Sequence, residues 1–233
     1  DKAIEYFKKA IEIRPNDSKG YNNLGAVYIN KNYYTRAIKS FNKAIELDLG
    51  SADIFYNLGS AYYNLKNYKQ AIKSFNKVIQ LDPNNSDAFY LIGNIYNKQR
   101  KYGDAIKSYD TAIELDPDIA DAYYNRGNVL TKQEEYIQAI KSYKNAIKIK
   151  PDFSKAYYNL GIAYQNQGKY SKAIMAYNSA IIIDPNDPEA YNNLANAYYH
   201  IGNTYLQIVN YKKAARLGFE PAQTWLNNSG YEW

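Results

Sequence analysis

The sequence predicts an all-α fold, a solenoid of stacked antiparallel helix pairs, from its period, its apolar spacing and its punctuation. Slid against itself, the chain matches at 34 residues: AYYNLGIAYQNQGKYSKAI (156–174), AYYNRGNVLTKQEEYIQAI (122–140) and IFYNLGSAYYNLKNYKQAI (54–72) superimpose without gaps. Within one unit, Tyr157, Leu160 and Tyr164, then Ala173, Ile174, Tyr177, Ala180 and Ile181, fall at the spacing of two amphipathic helices. A polar turn with Gly168 separates the two, and Asp184-Pro185-Asn186-Asp187 ends the second, because proline cannot continue a helix. A fixed period of this size describes units that touch only their neighbours, in place of a globule around a central site.

Taken in order, residues 1–17 read as the second helix of a truncated repeat. Because this second helix lacks its first, the natural array is expected to extend further toward the N-terminus, and a chain that begins at Asp1 with Met175 as its one methionine is not expected to start natively there. Full repeats follow at 18–51, 52–85, 86–119, 120–153 and 154–187, with Asp or Ser placed to cap the first helix. Positions 8 and 20 of each are small: Gly25 and Ala37, Gly59 and Ala71, Gly93 and Ala105, Gly127 and Ala139, Gly161 and Ala173. Small pairs of this kind let two helices approach closely. Segment 188–219 is a divergent sixth repeat, with Gln207 where the others have Ala. Residues 220–233 form a capping helix and tail that cover the last inner face. All of these segments are read as one solenoid domain.

The fifth repeat carries Tyr157, Leu160-Gly161, Tyr164, Ala173, Tyr177, Ala180 and Pro185, and the second carries Phe55, Leu58-Gly59, Tyr62, Ala71, Phe75, Val78 and Pro83. This pattern resembles the tetratricopeptide repeat (TPR) over about nine tenths of the chain. The departures are local: Leu49 in place of Pro, Ile92 and Arg126 in place of Leu, and Gln207. The resemblance, and not the spacing, implies a right-handed superhelix whose first helices line a concave groove that holds partners as extended peptides or helices.

Composition narrows the chemistry. Cysteine is absent from the 233 residues, which excludes a disulfide framework, a thiolate zinc site and a cysteine nucleophile. The single histidine, His200, reads as a surface or turn residue, so no enzyme activity, metal or cofactor is expected. No stretch approaches the roughly 20 apolar residues needed to span a bilayer, and a cytoplasmic location is expected. The formal charge of +6 comes mostly from Lys. Lys39, Lys73, Lys107 and Lys141 recur at position 22 and read as a solvated face, not a nucleic-acid track.

Helical spacing turns positions 2, 5 and 9 away from the packing stripe. Position 2 supplies Asp53, Asp87 and Asp121; position 5 supplies Tyr56, Tyr90, Tyr124, Tyr158 and Asn192; position 9 supplies Asn94, Asn128 and Asn196. These residues are the expected groove contacts, an aromatic ladder edged by acids that suits a partner segment with basic residues. Asn23, Asn57, Asn125, Asn159 and Asn193 form a second ladder at position 6, interrupted by Leu91, and read as bonding within the helix pair. Position 5 is never Lys, so a clamp of the kind that grips chaperone C-terminal carboxylates is not expected. The expected function is a non-catalytic protein-interaction scaffold. The alternatives are end-to-end self-association and a role as an accessory module of a larger enzyme or secretion machine.

Overall fold

The computed structural model describes residues 2–48 and 51–233, and Leu49 lies outside them. Among the described residues there are fourteen α-helices and no strand. They are α1 (Lys2–Ile13), α2 (Ser18–Asn30), α3 (Tyr34–Leu47), α4 (Ala52–Asn64), α5 (Tyr68–Leu81), α6 (Ser86–Lys98) and α7 (Tyr102–Leu115). There follow α8 (Ala120–Lys132), α9 (Tyr136–Ile149), α10 (Ser154–Asn166), α11 (Tyr170–Ile183), α12 (Pro188–His200), α13 (Thr204–Arg216) and α14 (Glu220–Asn228). Every even-numbered helix from α2 to α12 opens at position 1 of a repeat.

The turn inside each pair has one design. The residue at position 15 takes a left-handed conformation, with φ of 61° at Asn32, 59° at Lys66 and Arg100, 62° at Glu134, 70° at Gly168 and 76° at Gly202. The next residue returns its N–H to the carbonyl at position 11: Tyr33 to Tyr28 at 2.8 Å, and Asn67 to Tyr62 and Lys169 to Tyr164 at 2.9 Å. This pattern satisfies carbonyls that a helix end otherwise leaves orphaned. The expected caps on the first helices hold at Asp17 and Asp187, and Asn85 does the same work. Ser51 makes no cap bond, and Ile119 and Phe153 stand at the equivalent position of later helices.

The packing explains the small residues more fully than pairing them did. The space a methyl group would need at each helical glycine is taken by the ring at position 24 of the partner helix. A Cβ at Gly25, Gly59, Gly93, Gly127 or Gly161 would lie 2.4–2.7 Å from Phe41, Phe75, Tyr109, Tyr143 or Tyr177. Those five rings are 0–1% exposed. In the divergent repeat Ala195 replaces the glycine, and its ring, Tyr211, is less completely buried.

The chain divides into two compact units, residues 1–117 and 118–233. In the first, Leu24, Tyr28, Ala37, Phe41, Ala44, Ile54 and Leu58 form one cluster, with Ile4, Phe7 and Ile11 of α1 packed on it. Helix α1 buries no residue fully. In the second, Ala195, Tyr211, Ala214, Ala215, Ala222 and Leu226 form the last cluster. Trp225 of α14 lies 4.3 Å from the Tyr211 ring, so this short helix covers the final pair as the sequence led us to expect.

Candidate functional site

The sequence-derived contacts lie on the first helices of the repeats. In unit 1, Asp53 and Asp87 occupy the first turns of α4 and α6 and are exposed. A carboxylate at that place also favours the positive end of its own helix. Tyr56 and Tyr90 are half-buried, one turn further along. Each is braced by the position-24 ring of its own pair, Tyr56 on Phe75 at 5.8 Å and Tyr90 on Tyr109 at 6.1 Å. Burial, then the Asp87 carboxylate and Tyr90, raise the Tyr56 phenol above its ordinary value, so Tyr56 stays neutral and able to donate.

Unit 2 repeats the plan with changes. Asp121 is exposed on α8, while Tyr124 packs on Tyr143 at 6.1 Å and on Phe153 at 4.8 Å. Tyr158 packs on Tyr177 at 6.0 Å and donates to Glu189 at 3.2 Å. Burial, then Glu189, push the Tyr158 phenol up. Asn192 is half-buried on α12.

The position-9 amides turn inward. Asn94 accepts from Tyr109 Oη at 2.8 Å, Asn128 from Tyr143 Oη at 2.9 Å, and Asn196 from Tyr211 Oη. Their carbonyl oxygens are therefore engaged with the buried ring of their own repeat. The sequence carries a signal for this pairing. Where position 24 is Phe, position 9 is Ala26 or Ser60; where it is Tyr, position 9 is Asn94, Asn128 or Asn196. The exception is Ile162, and there Tyr177 donates to Gln165 instead, at 3.2 Å.

The position-6 asparagines differ from expectation as well. Asn57, Asn159 and Asn193 bond between successive first helices, not within a helix pair. Asn57 donates to Asn22 at 3.0 Å, Asn159 to Asn128 at 2.7 Å and to Tyr124 at 3.2 Å, and Asn193 to Tyr158 at 2.8 Å. Of the position-5 tyrosines, Tyr124 and Tyr158 thus accept a bond from the first helix that follows. His200, itself exposed, stacks on the half-buried Tyr170 at 4.2 Å. Among the described residues no group of His, Cys, Asp or Glu is arranged to hold a metal, and no helix is long and apolar enough to cross a membrane.

Family profiles described as TPR repeat match residues 27–66, 93–134, 127–168 and 166–202. Others described as tetratricopeptide repeat match 52–85, 6–39 with 74–107, and 188–217. The sequence has no match among curated proteins. Among solved structures, the MamA protein is 30% identical over 74% of this chain and 94% of its own, with a TM-score of 0.68. YrrB, described as a TPR protein with an unusual peptide-binding site, is 29% identical over 81% of this chain and 97% of its own, with a TM-score of 0.65. PilF of Pseudomonas aeruginosa, at 17% identity, covers 91% of this chain and 99% of its own with a TM-score of 0.75, and shows the fold alone. Repeats of this kind build protein-interaction scaffolds. The profiles span most of the sequence and the helix pairs recur at their period: the chain belongs to the tetratricopeptide-repeat family.

Proposed function

We propose that this chain is a non-catalytic scaffold that holds a peptide or helix segment of a partner protein against the face built by its first helices. The repeats 18–51 to 188–219 are its modules and 220–233 its cap. The observation that carries the reading is in unit 1, where braced, half-buried Tyr56 and Tyr90 alternate with exposed Asp53 and Asp87. Rigid aromatic area bordered by solvated carboxylates favours a segment that brings Lys or Arg beside apolar groups. Asp121, Tyr124, Tyr158 and Asn192 offer the same chemistry in unit 2, and the engaged amides of Asn94, Asn128 and Asn196 support the neighbouring rings. The likeness to YrrB, a peptide-binding TPR protein, supports the class of partner.

The braced tyrosines decide the experiment. Alanine at Tyr56 or Tyr90 would also remove packing on Phe75 or Tyr109, so the exposed acids are the cleaner target. Short random peptides displayed on phage are selected on the wild-type protein and on Asp53→Lys/Asp87→Lys. Basic peptides are expected from the wild type, with affinity falling about tenfold on the double variant. Selection of the same peptides by both proteins, with circular dichroism unchanged, rejects the reading.

A further inference from the structure

Two of the second helices, α5 and α9, have the opposite charge character. Helix α5 carries Lys69, Lys73 and Lys77 and no carboxylate, and α9 carries Lys141, Lys144 and Lys148 and none either. Taken as a pattern in the sequence, Lys73 and Lys141 read as part of a solvated face. The structure places some of the α5 and α9 lysines on the rim of a groove. Between α3 and α5 lies a depression of about 550 Å³, floored by Phe55, Leu58 and Tyr62 of α4 and bordered by Lys73 and Lys77. No carboxylate lines it. The same arrangement recurs in unit 2 between α9 and α11, about 340 Å³, where Tyr157, Leu160 and Tyr164 form the floor and Lys144 and Lys172 stand at the edge.

Positions 4, 7 and 11 thus do two jobs in these repeats. One side of each packs on its helix partner, and the other remains as an apolar strip at the bottom of a channel between consecutive second helices. A channel of this volume accepts several apolar side chains. Cations without a neighbouring acid in the lining make the rim complementary to negative charge.

We propose that the groove between α3 and α5, and its counterpart between α9 and α11, dock an acidic amphipathic helix of a partner protein. Leu or Phe side chains at helical spacing enter over Phe55, Leu58 and Tyr62, and flanking Glu or Asp pair with Lys73 and Lys77. This site lies on a different face from the tyrosine–acid surface and selects the opposite charge, so one chain holds two segments of opposite sign.

The test uses the full chain and two fluorescein-labelled amphipathic peptides of one leucine pattern, one with Glu and one with Lys at every polar position. Fluorescence anisotropy is followed for the wild type, for Lys73→Glu/Lys77→Glu/Lys144→Glu/Lys172→Glu, and for a charge-matched control at Lys39, Lys107, Lys141 and Lys155. The Glu peptide is expected to bind the wild type at least about tenfold more tightly than the Lys peptide. It is expected to lose about tenfold or more on the groove variant and to change by less than about threefold on the control. All of the substituted lysines are exposed except Lys77, which is half-buried, so circular dichroism should not change. No binding of the Glu peptide, or equal losses on the two variants, overturns the proposal.

Discussion

Glycine at position 8 is present for want of a methyl group. In Gly59→Ala the new Cβ would stand 2.7 Å from Phe75, a fully buried ring that cannot retreat. We expect a loss of about 1–3 kcal/mol in urea denaturation, the usual cost of overpacking. Gly103 has nothing within 4 Å of the equivalent point, and Gly103→Ala should leave stability equal or slightly raised. The ring–amide pairs allow a sharper test, because the chain itself contains both solutions. Tyr211→Phe removes the donor to Asn196 and should cost about 1 kcal/mol. Tyr211→Phe/Asn196→Ala copies the Phe41–Ala26 pair of the first repeat and should recover most of that loss, so the cycle shows coupling; additive effects would refute it.

At the scale of the element, the turn that joins each helix pair is over-determined. Its hydrogen bonds are the same whether position 15 is glycine or not, yet Lys66, Arg100 and Glu134 hold φ near 60° there. A side chain in that conformation costs roughly 1–2 kcal/mol, whereas glycine costs part of this back in unfolded-chain entropy. Lys66→Gly and Glu134→Gly should therefore each stabilise by about 0.5–1 kcal/mol, read as a higher urea midpoint with an unchanged slope. The sequence shows this turn through Gly168 and Gly202. At Lys66 it is masked, because surrounding bonds impose a backbone the residue itself disfavours.

Across the whole molecule the buried phenols set a pH limit. Burial raises Tyr109, Tyr143 and Tyr177, with smaller contributions from neighbouring tyrosines at Tyr109 and Tyr143 and from Tyr158 at Tyr177. Below about pH 10 these groups are neutral in both folded and unfolded chains and cost nothing. Above it the unfolded chain releases their protons while the folded chain retains them, so stability falls as pH rises, by about 1.4 kcal/mol per pH unit for each such tyrosine. Urea midpoints measured from pH 8 to 11.5 should be flat and then drop, and Tyr143→Phe should reduce the slope of the drop. A drop beginning well below pH 10 would contradict this assignment.

The sequence by itself determined the helices, their pairing and the faces they turn to solvent. A 34-residue period repeats the same apolar spacing five times, and stacking the units buries those stripes against their neighbours. It also displayed the acids and tyrosines of the first helices, because helical geometry fixes which positions share a side. Only the tertiary structure decided what each polar group does with its hydrogen bonds. The amides at positions 6 and 9 lie 15 to 35 residues from the groups they meet, on other helices, and only the pairing of Asn at position 9 with Tyr at position 24 leaves a trace of this in the sequence. Only the structure, too, separated lysines on the open surface from Lys73 and Lys77 above an apolar floor. A groove exists between two elements, and the repeat pattern of either one does not contain it.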